Sequence, residues 1–193
     1  MPGRFRIDFV SSNDYKFREI KMVLMEFNIS AIQRKADLKE IQSLDLEDIA
    51  REKAFSAHKI VKNSIIVEDA GLFIDALGGF PGPYSSFVQQ TIGCKGILTL
   101  LRNKLRRKAT FKSALVCADR NGKLQTFLGD VSGTISQGLR GDHGFGFDPI
   151  FIPDGHQDTY ALMLDAEKNR ISHRAIATRK FADWFLTRHS NKE

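Results

Sequence analysis

Phe5-Arg6-Ile7-Asp8-Phe9-Val10 alternates apolar and polar residues, which predicts a strand at the start of the chain. After the polar trio Ser11-Ser12-Asn13 the period changes. Phe17, Ile20, Leu24 and Phe27 recur at three- and four-residue steps, the spacing of one face of an amphipathic helix. A short strand is expected near residues 29–33. Asp45, with Asp48 three residues on, reads as an N-cap, and Leu46, Ala50, Ala54, Ala57 and Val61 give a helix to about Lys62 its apolar stripe. Ser64-Ile65-Ile66-Val67 predicts a strand that runs into two carboxylates, Glu68 and Asp69, followed by a helix-like segment from Leu72 to Leu77. Gly78-Gly79-Phe80-Pro81-Gly82-Pro83 packs three glycines and two prolines into six residues, a rigid turn between apolar segments.

One or two helices fill residues 85–105. Residues 110–118 and 124–135 are rich in β-formers and are joined through Asn121-Gly122, which predicts an antiparallel hairpin. A glycine-rich loop over residues 138–146, a short strand over 149–152 and a terminal helix carrying Ile176, Ala177, Phe181, Trp184 and Phe185 complete the pattern. The expected fold is α/β with a mixed sheet, as a single domain over residues 1–193.

Composition narrows the class. Of 193 residues 42% are hydrophobic and 27% charged, enough apolar material for a core and too mixed for a coiled coil or a disordered tail. Lys and Arg number 29 against 23 Asp and Glu, and this net charge of +6 favours an anionic partner. Cys94 and Cys117 stand far apart without a CxxC or Cys/His cluster, so buried thiols are expected rather than zinc ligands. No stretch approaches a membrane span, and the charged Met1–Asp8 segment does not resemble a signal peptide, so a cytoplasmic protein without a membrane partner is expected.

The candidate chemistry lies in five places, each with a plainer reading beside it. Ser12, Asn13 and Lys16 lie at a strand-to-helix junction, where backbone N–H groups favour an anion; the same residues also make an ordinary helix cap. Lys53 shares the side of its helix with Ala50, Ala54 and Ala57, so it either reaches a phosphate or snorkels past the apolar stripe. Glu40, Glu68 and Asp69 are carboxylates of the kind that bind Mg²⁺ together with substrate phosphate oxygens; a Glu-Asp pair is also a common solvated turn. Phe145, Gly146, Phe147 and Asp148 offer rings to stack on a base and an acceptor for it, or else simply core aromatics. Lys168, Ser172, His173 and Arg174 are dense in donors ahead of the last helix. Ser172 also suits an N-cap there, and adjacent Ser-His does not make a nucleophile and base.

In this order the pieces resemble the inosine/xanthosine triphosphate pyrophosphatase family. The carriers are Ser12-Asn13-x-x-Lys16, Ala50-x-x-Lys53-Ala54, and Glu68-Asp69-Ala70-Gly71-Leu72 followed by Gly79-Phe80-Pro81-Gly82-Pro83-Tyr84-Ser85. Gly144-Phe145-Gly146-Phe147-Asp148-Pro149-Ile150-Phe151 and Glu167-Lys168-Asn169-x-x-Ser172-His173-Arg174 complete the set. Ala70, Phe87, Leu162 and Ala175 depart from the family's commoner serine, arginine, glutamate and glycine, but none of these changes removes a charge assigned below.

The resemblance implies a long curved mixed sheet, two lobes with a nucleotide cleft between them, and a homodimer. It implies hydrolysis of non-standard purine nucleoside triphosphates (ITP, dITP, XTP) to the monophosphate and pyrophosphate, with Mg²⁺. Ser12, Asn13, Lys16 and Lys53 would then hold the triphosphate, and Glu40 and Asp69 the metal, with Asp69 activating water. Phe145, Gly146, Phe147, Asp148, Lys168, Ser172, His173 and Arg174 would close on the nucleotide. Hypoxanthine and xanthine present a 6-oxo acceptor where adenine presents an amino donor, so donors such as His173 and Arg174 would select for the oxo group. On this reading, loss of Arg174 weakens ITP use far more than stability.

A different class stays open. A nucleotide- or RNA-binding module without catalysis would use the run Lys104-Leu105-Arg106-Arg107-Lys108, which otherwise reads as a solvated helix end.

Overall fold

The computed structural model describes residues 5–36, 38 and 40–190. Among these residues seven strands form one mixed sheet, in the order Ile29–Arg34, Phe5–Val10, Ile65–Ile74, Lys108–Ala118, Leu124–Ile135, Phe151–Pro153, with Pro81–Gly82 paired to Ile65–Ile74 off this path. β1 (Phe5–Val10), α1 (Asp14–Glu26) and β2 (Ile29–Arg34) form a β-α-β unit, with β2 parallel to β1 in the register Phe5 to Ile29 through Val10 to Arg34. α2 (Leu46–Val61) is capped at its start by the Asp45 carboxylate, which accepts from the Glu47 N–H, and leads to β3 (Ile65–Ile74), also parallel to β1.

β3 is longer than the pattern predicts. Residues 72–74 are strand, and only Asp75–Leu77 turn into a short 3-10 segment. Three consecutive apolar residues carry no period of their own, and here pairing decides. Leu72 and Phe73 pair antiparallel with β4 (Pro81–Gly82), and the Leu72 N–H donates to Ser85 Oγ at 2.8 Å. Gly71 lets this happen, because a side chain there would collide with the Gly82 carbonyl.

α3 (Ser85–Thr91) and α4 (Gly93–Leu100) are two helices, divided at Gly93, whose φ of +60° interrupts the helical path. β5 (Lys108–Ala118) and β6 (Leu124–Ile135) form the expected hairpin across Asn121-Gly122. The expected strand at 149–152 starts later. Asp148–Ile150 is a 3-10 turn and β7 (Phe151–Pro153) follows, consistent with a proline at 149 that has no N–H to give to a ladder. α5 (Asp165–Ile171) went unread because it is short and polar, and α6 (His173–Ser190) closes the chain. Among the described residues no helix is long and apolar enough to cross a membrane.

The chain divides into two compact units: Met1–Asp69, Ser113–Gly129 and Arg174–Glu193 in one, Ala70–Lys112 and Asp130–His173 in the other. The first has a core of Phe9, Ile20, Leu24, Ile66, Leu115 and Phe181 among others. The second packs Leu72, Ile97, Phe111, Phe147, Phe151 and Tyr160. The basic run is not a uniformly solvated helix end. Arg107 is buried, and its guanidinium donates to the carbonyls of Leu101, Ile135 and Ser136 at 2.7–2.8 Å, tying the end of α4 to the end of β6. The four basic residues among Lys104–Lys108 look alike in sequence; free carbonyls, one of them at the end of α4, select the one that turns inward.

Cys94 and Cys117 are buried, unpaired thiols. Burial, helped by the charge of Asp148, pushes Cys94 up to about 11; burial, helped by Asp119, pushes Cys117 up to about 12. Folding thus favours the protonated thiols, so their contribution to stability is lost as pH rises above the ordinary thiol range. Iodoacetamide at pH 8 is expected to label the native chain at least about a hundredfold more slowly than the urea-unfolded chain, since each pKa unit changes the thiolate fraction tenfold. Equal rates, followed by mass spectrometry, would show the thiols to be exposed.

Candidate active site

The first unit gathers charge midway along β3, where Glu68 and Asp69 stand inside the strand rather than at the strand end expected from the sequence, because the pairing of residues 72–73 with β4 extends it. The loop after β1 is fixed by its own backbone: the Asn13 N–H donates to Ser11 Oγ at 3.1 Å, and Asn13 Oδ1 accepts from the N–H groups of Tyr15 and Lys16 at 3.0 Å each. Asn13 is therefore the N-cap of α1, and two of the N–H groups that could have met an anion are already satisfied. The cap sets the first turn, from which Lys16 extends to β3. Its Nζ lies 2.8 Å from Glu68 Oε2, 3.4 Å from the Glu68 carbonyl and 3.8 Å from Asp69 Oδ1. From α2, Lys53 Nζ lies 2.6 Å from Glu40 Oε1 and 3.4 Å from Asp69 Oδ1. Arg174, at the start of α6, donates from Nε to Glu68 Oε1 at 3.1 Å and pairs through Nη1 with Glu19. Ser113 Oγ adds a 2.8 Å bond to Glu68 Oε1.

The two adjacent acids of β3 have different electrostatic fates. Burial opposes ionisation of Glu68, but Arg174 and Lys16, with hydrogen bonds from Lys16 and Ser113, outweigh it and hold the carboxyl well below the usual range. Glu68 is a fixed anion. Burial raises Asp69, and Glu68 and Glu40 raise it further against the opposing pull of Lys16 and Lys53. Of the two, Asp69 is the acid whose proton affinity is raised. Burial disfavours charge on Lys53, but Asp69 and Glu40 more than compensate, so it stays a cation.

Among the described residues three cations, Lys16, Lys53 and Arg174, face four carboxylates, Glu19, Glu40, Glu68 and Asp69. The cluster is thus net acidic rather than a ready-made anion trap, and each cation already has a carboxylate partner. Glu40 and Asp69 converge on one lysine nitrogen and supply hard oxygen donors, the set Mg²⁺ takes when phosphate and water provide the rest of its shell. Among the described residues no group of three or more His, Cys, Asp or Glu forms an all-protein metal cage.

The second unit holds a separate group. Lys168 is 3% exposed, with Nζ 2.5 Å from Asp148 Oδ2, an oxygen that also accepts the Phe145 N–H at 2.9 Å. The same ammonium lies 5.1 Å from the centroid of Phe145 and 5.5 Å from that of Tyr160. Gly144, at φ +76°, is obligatory, since a Cβ would run into the Asp148 carboxylate. The two phenylalanines part company: Phe145 is half-buried beside Lys168, whereas Phe147 packs in the core. The Gly146 carbonyl accepts from Cys94 Sγ at 3.4 Å. His173 is buried, its imidazole parallel to the Phe111 ring at 4.6 Å and 5°. Ser172 is buried and closes α5, its N–H donating to the Lys168 carbonyl at 2.9 Å.

Of the residues singled out in the sequence, Lys16, Lys53, Glu40, Asp69 and Arg174 come together in the first unit, with Asn13 shaping the turn and Ser12 exposed beside it. Phe145, Asp148 and Lys168 come together in the second. Arg174 is placed with carboxylates, Glu68 and Glu19, a partnership the base-edge reading did not include. Glu19, Ser113, Phe111 and Tyr160 were missed. Glu19 stands three residues after Lys16, one turn along the same helix face, and Ser113 interrupts an apolar alternation on β5; both signals were visible.

A mixed α/β sheet whose β3 carries two carboxylates among lysines frames this site, and the chain belongs to the Ham1 family, whose family model matches residues 7–184. It is 49% identical over 189 residues to the dITP/XTP pyrophosphatase of Saccharolobus solfataricus, covering 97% of both chains. It is 45% identical over 179 residues to the dITP/XTP pyrophosphatase of Thermococcus kodakarensis, covering 93% of this chain and 96% of the relative. Among solved structures, the Ham1 protein of Staphylococcus aureus superposes with a TM-score of 0.81 at 28% identity, covering 95% of this chain and 99% of that one. The HAM1 protein of Coxiella burnetii gives 0.83 at 28% identity, with the same coverage.

Proposed function

We propose that the chain is a nucleoside-triphosphate pyrophosphatase that hydrolyses dITP, ITP and XTP to the nucleoside monophosphate and pyrophosphate, residues 1–193 working as one catalytic domain. The observation that carries the mechanism is Asp69, a carboxylate raised in pKa by burial and flanked by two lysines and Glu40. Lys16 and Lys53 exchange carboxylate partners for phosphate oxygens, and Ser12 and Asn13 shape the loop beside them. Asp69 accepts the proton as a water oxygen bonds to the α-phosphorus and the bond to pyrophosphate breaks. Glu40 and Asp69 would hold Mg²⁺, which would supply neutralisation of phosphate charge beside the net acidic cluster. The base is met by the Phe145 face, Gly146, Asp148 and Lys168, with Phe147 anchoring that loop in the core. Ser172, His173 and Arg174 form the donor set for the 6-oxo edge.

The wider reading is a cytoplasmic homodimer acting on free nucleotides rather than on nucleic acid or a membrane, in line with the family resemblance; light scattering tests the dimer. Purified chain with Mg²⁺ is expected to prefer dITP and XTP over dATP by about a hundredfold or more in kcat/KM, because a site built to hydrogen-bond the 6-oxo group leaves polar groups unmatched with adenine. Equal use of dATP and dITP would refute the selectivity.

A further inference from the structure

We propose that Phe111 is a specificity-determining positioning residue whose ring fixes the plane of the His173 imidazole and thereby aims its ring nitrogen at the purine 6-position. The inference rests on the base-reading role given to His173 above.

A neutral imidazole carries one donor nitrogen and one acceptor nitrogen, and half a turn about the Cβ–Cγ bond exchanges them at a given point. The 6-oxo group of hypoxanthine needs the donor, whereas the 6-amino group of adenine is served by the acceptor. A His173 whose ring tilts freely aims neither nitrogen, so selection demands that the plane of the ring be held. Phe111 holds it: the rings lie parallel within 5° at 4.6 Å, so any tilt of the imidazole drives its edge into the Phe111 face.

Phe111 cannot yield, because it is buried and locked by two further rings. Phe151 meets it edge-on at 4.7 Å and 71°, and Tyr160 stacks at 6.0 Å and 28°. Tyr160 in turn lies under the Lys168 ammonium, so one aromatic group backs both His173 and the Lys168–Asp148 pair. A branched aliphatic side chain would refill the volume without the flat face.

The test compares Phe111→Leu with Phe111→Tyr, which keeps the face. In Phe111→Leu the dITP-to-dATP ratio of kcat/KM is expected to fall about tenfold, equal to about 1.4 kcal/mol. The loss should appear in KM for dITP more than in kcat, and Phe111→Tyr should retain the wild-type ratio. In parallel, nitrogen-15 NMR of the His173 ring should show one fixed environment in the wild type and averaging in Phe111→Leu. If Phe111→Leu fails to fold, Phe111→Met is read by the same two measurements. An unchanged ratio and ring signal alongside a lowered melting temperature would make Phe111 a core filler and overturn the proposal. If the wild type itself shows no preference for dITP, the base-reading role fails instead, and the NMR comparison still decides whether Phe111 holds the imidazole.

Discussion

Asp69→Asn is expected to lower kcat for dITP by about 10²- to 10⁴-fold, the span of a lost general base, while the melting temperature stays close to that of the wild type. The substitution is isosteric and removes only the capacity to take a proton and to hold a cation. Its neighbours keep other partners. Lys16 retains Glu68 at 2.8 Å and Lys53 retains Glu40 at 2.6 Å, so no buried cation is stranded. Burial already disfavours the charged form of Asp69, which further limits the stability at stake. Single-turnover kinetics beside a thermal melt separate the two effects, and near-normal turnover would remove Asp69 from the chemistry.

Arg174→Ala is expected to destabilise the fold by about 3 kcal/mol in addition to impairing turnover, because breaking a buried ion pair leaves a charge uncompensated. For a chain of this size that is a fall of roughly 6–12 °C in melting temperature. The Glu68 side chain has no solvent exposure, and Glu19 loses its guanidinium partner as well. This reverses the order expected from sequence, where Arg174 reads as a substrate donor with little structural part. Lys16 still faces Glu68, which keeps the loss toward the lower end of the range for broken buried pairs. A double-mutant cycle with Glu68→Gln should recover part of the loss, since the stranded anion is then neutral. Melting unchanged in Arg174→Ala would contradict the ion-pair assignment.

The contrast between Arg174 and Lys53 shows how much of the site sequence can carry. Lys53 is legible because helical periodicity says which side of α2 it shares, and that side is where Glu40 and Asp69 lie. Arg174 is not, because its partners stand 106 and 155 residues away and no local period connects them. Asn13 is legible in both of its readings, and the geometry commits its Oδ1 to the cap. Residues 72–74 were misread because three apolar residues suit a helix or a strand, and only the neighbouring β4 settles which. Arg107 was hidden in a basic run by its resemblance to its neighbours. Phe111 was hidden by being a phenylalanine in a strand, where core is the ordinary expectation and a histidine stacked on it leaves no trace in the pattern.

The central claim is that water attacks the α-phosphorus under the control of Asp69. Hydrolysis of dITP in ¹⁸O-labelled water with Mg²⁺, followed by mass spectrometry of both products, tests it directly. The label is expected in the nucleoside monophosphate, with unlabelled pyrophosphate. Label in pyrophosphate, or orthophosphate in place of pyrophosphate, would contradict it.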